Sequence, residues 1–224
     1  MAEEEFLRFT VFQRIQHILL TLSFFVLVLT GFPLKYAHTS WARSIVDVLG
    51  GPDKRGLYHR IAAVVFIGTG LIHVIYYTLI DIGKKDIMPK RKDFDDAMQH
   101  IRYNLRMTEE MPKMGRYTWD QKFDYWAGAV GSLIVVVTGA MMWFTFDMTL
   151  KVLPLQFVNY ARLIHGWEAI LAFSSVIIIH LYAVILNPDV FPMAKHWITG
   201  TLTREQMEHE HPLELEELIK KEET

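Results

Sequence analysis

Apolar residues along this chain collect into four long runs, near residues 12–33, 57–80, 123–146 and 160–186, with polar segments between them. Each run reaches the roughly 20 residues that a helix needs to cross about 30 Å of hydrocarbon. Inside lipid a backbone must satisfy its own hydrogen bonds, so the runs are predicted to be helices. The pattern predicts an all-α membrane protein, a bundle of four transmembrane helices forming one domain over residues 1–224. A soluble α-domain is disfavoured, because a chain this short cannot bury four such runs. Membrane lipid is therefore its first expected partner, and no nucleic acid is expected.

The polar segments set an orientation. Ten Lys/Arg lie from Lys84 to Lys122, between the second and third runs, where residues 82–121 form an inner loop. The N-terminal end adds Arg8 and Arg14, and Lys195, Arg204, Lys220 and Lys221 follow the last run. An excess of Lys/Arg marks the cytoplasmic side. Both termini are expected there, in a bacterial or archaeal cytoplasmic (inner) membrane, with a tail over about 192–224. The start, MAEEEFLRFT, has no basic region leading to a cleavable signal, so the first run is expected to stay as a helix. Gly50, Gly51 and Pro52 signal a turn in the outer loop. Within the inner loop, Phe94, Met98, Ile101 and Leu105 share a helical face, with Asp93 as N-cap; a short helix lying on the membrane surface is expected. His100 there reads as a solvated surface residue. His209 and His211 are two residues apart and do not share a helix face, so they read as polar tail.

The chemistry lies in the histidines. There is no cysteine among the 224 residues, which removes disulfides, thiolate metal sites, iron–sulfur ligation and c-type haem attachment. Ten histidines remain, and five fall inside the apolar runs: His17, His59, His73, His165 and His180. An ionisable side chain at membrane depth points to function. Tracing the chain in and out gives two layers: His59 and His165 near the outer surface, and His17, His73 and His180 near the inner one.

Two b-type haems, one per layer, answer this arrangement. Each iron takes two imidazoles from facing helices, and a four-helix bundle carries its ligands inward. His165 and His180 are fifteen residues apart, which is roughly 22 Å of helix at 1.5 Å per residue. The rotation is about 60° past whole turns, and about 40° short of them for the fourteen residues between His59 and His73. Either spacing keeps one face. The outer pair reads as His59 with His165. The inner partner of His180 is open between His73 and His17. Helix one also ends in LVLTGFP and helix three contains VVVTGAM, so Gly31 and Gly139 lie near the same outer surface, with Gly128 and Gly131 deeper. Glycine allows close approach to a backbone.

The chain resembles the gamma subunit of respiratory formate dehydrogenase and the cytochrome b subunits of membrane-bound nickel–iron hydrogenases. The likeness covers nearly its whole length: FQRIQH and TG in helix one, LYH opening helix two, GRYTWDQK before helix three, YARLIH and IIIH in helix four, and HP in the tail. The resemblance implies His59 and His165 on the outer haem and His17 and His180 on the inner one, and leaves His73 as the rival inner ligand. It implies quinone, as menaquinone or ubiquinone, near the inner haem at GRYTWDQK. Tyr117, Gln121 and Lys122 match the family there, whereas Thr118 and Asp120 replace its Asn and Gly. The family's helix-four spacing is fourteen; the fifteen here would be absorbed by a π-bulge.

Charge adds the remaining candidates. Haem propionates want cations: Arg14 is placed for the inner haem, Arg60 and Arg162 for the outer. Glu168, three residues past His165, is a candidate acceptor for a ligand's free N–H or a contact for a partner subunit. The expected function is electron transfer across the membrane as a subunit of an oxidoreductase complex. The electrons are expected to pass between a partner on the outer face and quinone near the cytoplasmic side; the resemblance implies a periplasmic subunit with an iron–sulfur relay as that partner, with a multihaem cytochrome c as the alternative. The outer loops carry no catalytic constellation. The competing readings are a cofactor-free proton or solute transporter or anchor, and a self-contained dihaem reductase. The resemblance also implies a trimer of complexes.

Overall fold

Helix α1 (Val11–Lys35) starts where Thr10 and Gln13 cap each other. The Thr10 N–H donates to Gln13 Oε1 at 2.8 Å and the Gln13 N–H to Thr10 Oγ1 at 3.3 Å. This T-x-x-Q capping box satisfies two of the orphan donors at a helix start. The same box opens α5 (Trp119–Trp143) with Thr118 and Gln121, and α9 (Arg204–Glu210) with Thr203 and Gln206. The structure is a computed structural model and describes residues 4–79, 86–145, 150–188 and 190–223. The run ends expected at 80 and 146, and Lys84 at the head of the basic loop, lie outside the described residues.

Four helices are long and apolar enough to cross a membrane: α1, α3 (Pro52–Leu79), α5, and the continuous helix from Leu155 to Leu186. They coincide with the four hydrophobic runs. The last one begins as α7 (Leu155–Ser175), after a single turn α6 (Leu150–Val152). It then passes into π-helical turns over Val176–His180 and Tyr182–Leu186. A π turn takes in one residue more per hydrogen bond than an α turn. The first of these, Val176–His180, lies between His165 and His180, where the π-bulge is expected. In the outer loop, Gly50 and Gly51 adopt φ of +86° and +96°, where side chains are strained, and Pro52 takes the first position of α3. The loop also holds a helix that the pattern did not predict, α2 (Ser40–Val48).

The chain divides into two compact units. One comprises residues 15–74 and 128–194 and contains the five membrane histidines. The other comprises 1–14, 75–127 and 195–224. In it, β1 (Glu5–Leu7) pairs antiparallel with β2 (Thr201–Thr203), Phe6 opposite Leu202. Leu202, Met207 and Leu215 form a small core with Phe6, Leu218 and Ile219 packed on it. The tail is thus folded: α8 (His196–Thr199), α9 and α10 (Pro212–Glu222) follow one another. The surface helix is α4 (Arg91–Asn104), with Phe94, Met98, Ile101 and Leu105 exposed. Its N-cap is Lys90; Asp93 sits at the third position and accepts the Lys90 N–H at 2.5 Å.

His100, read as solvated, and His211, read as polar tail, are structural. His100 is half-buried and its Nδ1 accepts the indole N–H of Trp119 at 3.1 Å. His211 is 1% exposed, and its Nδ1 donates to the Gly115 carbonyl at 2.7 Å. His209 is exposed as expected. Burial, and then the Arg8 charge, push His211 down to about 3, against the Gly115 hydrogen bond that raises it. The folded tail therefore holds a neutral ring. The unfolded ring gains a proton near pH 6.5. Between about pH 6.5 and 3 the unfolded state binds more protons, so stability falls as pH falls, by up to about 1.4 kcal/mol per pH unit. Tail unfolding followed by proteolysis from pH 7.5 to 5 should show this slope, and His211→Asn, which keeps a donor near Nδ1, should flatten it.

Candidate functional site

The imidazoles of the membrane unit form two pairs. His59 on α3 faces His165 on α7, ring centroids 6.4 Å apart. His17 on α1 faces His180, in the π turn of the same long helix, at 6.3 Å. A metal-bound imidazole nitrogen sits about 2 Å from the ion, and the ring centroid lies about 1 Å beyond, so two imidazoles sharing one ion stand about 6 Å apart. Both pairs fit that spacing. His73 is not in either pair. Its Nδ1 lies 3.3 Å from Gln16 Oε1. Gln16 and His17 are neighbours about 100° apart on α1, so α1 turns an amide to His73 and an imidazole to His180.

Each outer imidazole is seated on a Thr-Gly pair. Thr30 Oγ1 is 2.8 Å from His59 Nδ1, and Thr138 Oγ1 is 3.1 Å from His165 Nδ1. A Cβ added at Gly31 would stand 3.3 Å from His59 Cε1, and one at Gly139 would stand 3.2 Å from His165 Cε1. What approaches these glycines is the imidazole. Gly131 instead makes room for Glu168, whose Oε1 would be 2.6 Å from an added Cβ; nothing lies within 4 Å of one at Gly128. Gly139→Val should lower haem content more than Gly139→Ala, since the branched side chain must displace a ring that cannot back away. Gly131→Ala should keep haem, because a flexible carboxylate can swing aside. Haem-to-protein ratios of the purified variants test both.

The cations divide. Arg60 lies over the Trp143 ring at 5.9 Å, and Arg162 is exposed. Arg14 donates to the Ile198 carbonyl, and its Nε is buried without a partner among the described residues. Two cations that the sequence reading passed over stand beside the outer pair. Arg55 Nη1 donates to the Thr30 carbonyl at 2.6 Å, and Lys35 Nζ sits 4.4 Å over the Trp167 ring and 3.1 Å from the Cβ position of Gly166. The signal was the i, i+4 spacing of Arg55 and His59, which puts them on one helix face.

The residues expected at quinone have structural bonds. Thr118 and Gln121 cap α5. Lys122 is 6% exposed and its Nζ meets Asp93 Oδ1 at 2.6 Å. The Tyr117 ring lies under the guanidinium groups of Arg8 and Arg116, at 5.2 and 5.8 Å. Asp120 lies in the first turn of α5, where a carboxylate favours the helix dipole. Among the described residues no group of three or more His, Cys, Asp or Glu could hold a bare metal ion. Paired imidazoles instead suit an iron whose other four ligands come from a macrocycle.

The family described as prokaryotic cytochrome b561 matches residues 8–192, a stretch that holds both imidazole pairs. The chain belongs to that family. Haem b and membrane electron transfer come with it, in a multi-pass bacterial membrane protein. Three relatives cover most of the chain. The cytochrome b556(fdo) subunit of formate dehydrogenase from Escherichia coli K12 is 22% identical over 86% of this chain and 85% of its own. The cytochrome b556(Fdn) subunit of nitrate-inducible formate dehydrogenase from the same strain is 22% identical over 92% and 88%. The formate dehydrogenase cytochrome b556 subunit of Haemophilus influenzae is 22% identical over 83% and 74%. This cytochrome is thus similar end to end to subunits of one kind of oxidoreductase.

Proposed function

We propose that this cytochrome is a dihaem b-type membrane subunit that wires a redox partner outside the membrane to quinone near the cytoplasmic side. The observation that carries the reading is the pair of facing imidazoles in each layer, His59 with His165 and His17 with His180, both at the spacing of a shared ion. Haem b, when bound, supplies one-electron redox chemistry. The chain's own part is to hold the axial nitrogens, to keep the two layers a helix apart, and to place cations beside the outer pair. Arg55 and Lys35 are the better candidates for the outer propionates, with Arg60 close in sequence. The inner cation Arg14, the quinone residues Tyr117, Thr118, Asp120, Gln121 and Lys122, and a cytoplasmic location for both termini follow from the resemblance and the charge distribution.

The likeness to formate dehydrogenase cytochromes supports membership in a larger complex, with an iron–sulfur or multihaem partner supplying or taking the electrons. A pyridine haemochrome assay with protein quantification on the purified chain tests the core of the reading. Two b haems per chain are expected. Reduction of both by a quinol in proteoliposomes, with no other subunit present, tests the quinone end. Folded protein without haem would overturn the proposal and leave a proton transporter as the reading of these histidines.

A further inference from the structure

The Thr-Gly pairs of α1 and α5 perform one task twice. Thr30 Oγ1 donates to the Val26 carbonyl at 2.6 Å, and Thr138 Oγ1 donates to the Ile134 carbonyl at 2.6 Å. A hydroxyl has a single proton. With that proton committed to its own helix, each oxygen can only accept from the imidazole it faces, and it faces Nδ1 in both cases. At His165 a second acceptor agrees: the Val135 carbonyl lies 3.0 Å from Nδ1. A carbonyl never donates. Both rings therefore carry their proton on Nδ1 and keep a free lone pair on Nε2.

The two cradles correspond position by position. In α1 they are Val26, Leu27, Thr30 and Gly31; in α5, Ile134, Val135, Thr138 and Gly139. In both, the carbonyl four back takes the threonine proton, the hydroxyl takes the imidazole proton, and the glycine admits the ring edge; in α5 the carbonyl three back takes the imidazole proton as well. The hairpin of α1 and α3 and the hairpin of α5 and α7 thus each seat one outer histidine on the neighbouring helix. We propose that Thr30 and Thr138 are positioning residues that lock the tautomer and orientation of His59 and His165 and set the potential of the outer haem. This rests on the reading that these two histidines share the outer iron. A hydrogen bond donated from Nδ1 makes the ring a more basic ligand. A more basic ligand favours oxidised iron and so lowers the potential.

The test uses the full-length haem-loaded protein in nanodiscs, comparing Thr30→Val, Thr138→Val, the double variant and the corresponding Thr→Ser variants. Haem content, a potentiometric titration and the low-temperature EPR spectrum of the oxidised protein are the readouts. His59→Ala, run alongside, identifies the outer haem as the one lost. Valine variants should keep two haems and raise the outer potential, most in the double variant. There the oxidised-to-reduced equilibrium should change about tenfold, the lower end for loss of such a partner, or about 59 mV for one electron. Serine should restore both potential and spectrum. Valine variants that lose the outer haem while serine variants keep it report the same hydroxyl. An unmoved potential and spectrum in the double valine variant, or serine behaving as valine does, would overturn the lock. If His59→Ala keeps both haems, the outer-pair reading falls and the lock with it; if it loses one while valine changes nothing, only the lock falls.

Discussion

If the wild type carries the two haems proposed, His17→Ala should carry one haem b per chain and His73→Ala should keep both. The two variants differ only in which of two inner imidazoles is removed, so the haem count separates them directly. The reason lies in the facing of α1. His17 meets His180 at 6.3 Å between ring centroids, whereas the His73 ring lies against Gln16. Removing His17 takes away half of a two-imidazole site. Removing His73 costs a hydrogen bond to an amide that is 4% exposed, and leaving a buried polar group unpaired costs about 1–3 kcal/mol. His73→Ala is therefore expected to be less stable and fully loaded. A pyridine haemochrome assay with protein quantification reads the count, and a thermal melt reads the stability. The reverse pattern would move the inner ligand to α3.

Much of this was legible along the chain because lipid imposes a simple rule. A stretch that must satisfy its own backbone and face hydrocarbon is apolar on every side, so four spans stand out without any amphipathic period. The outer pair was legible for a related reason: two histidines at matching depth have few alternatives. The inner pair was not, since His17 and His73 lie within a few ångström in depth and only the rotation of α1 divides them. Rotation is a property of packing, not of spacing. The Thr-Gly echo was visible as a repeat, yet its role was not. TG reads as small-residue packing until an imidazole is seen on it. His100 was misread as solvated because a polar loop looks so by composition, and composition likewise gave no sign that His211 in the polar tail is buried. The partners that bury them, the Trp119 indole and the Gly115 carbonyl, are 19 and 96 residues away. T-x-x-Q was a readable signal three times over, and in GRYTWDQK it accounts for Thr118 and Gln121 by helix capping alone.

The tail owes its docking to one carboxylate, and Glu214→Ala should release it. Arg8 Nη1 reaches Glu214 Oε2 at 2.6 Å and Arg116 Nη1 reaches Oε1 at 2.5 Å, so two guanidinium groups share a single buried acid. Arg8 is 4% exposed and also donates to the Arg116 carbonyl, while Arg116 Nη2 donates to the Arg8 carbonyl at 3.2 Å. Burial lowers the Arg8 pKa, with Glu214 acting against it. Without Glu214 two cations are left side by side in a poorly solvated place, with the Tyr117 face and each other's backbone carbonyls to hold them but no counter-charge between them. Removing one partner of a buried pair costs about 3–5 kcal/mol, enough to undo a small unit whose core is Leu202, Met207 and Leu215. Limited proteolysis should then cut between α8 and α10 in Glu214→Ala and leave the wild type whole. Glu214→Gln, which keeps the shape and loses the charge, should fall between them. Glu4→Ala breaks the exposed pair with Arg204 at 2.7 Å and should leave the digestion pattern unchanged. Haem content should hold in all three variants, since both imidazole pairs belong to the other unit.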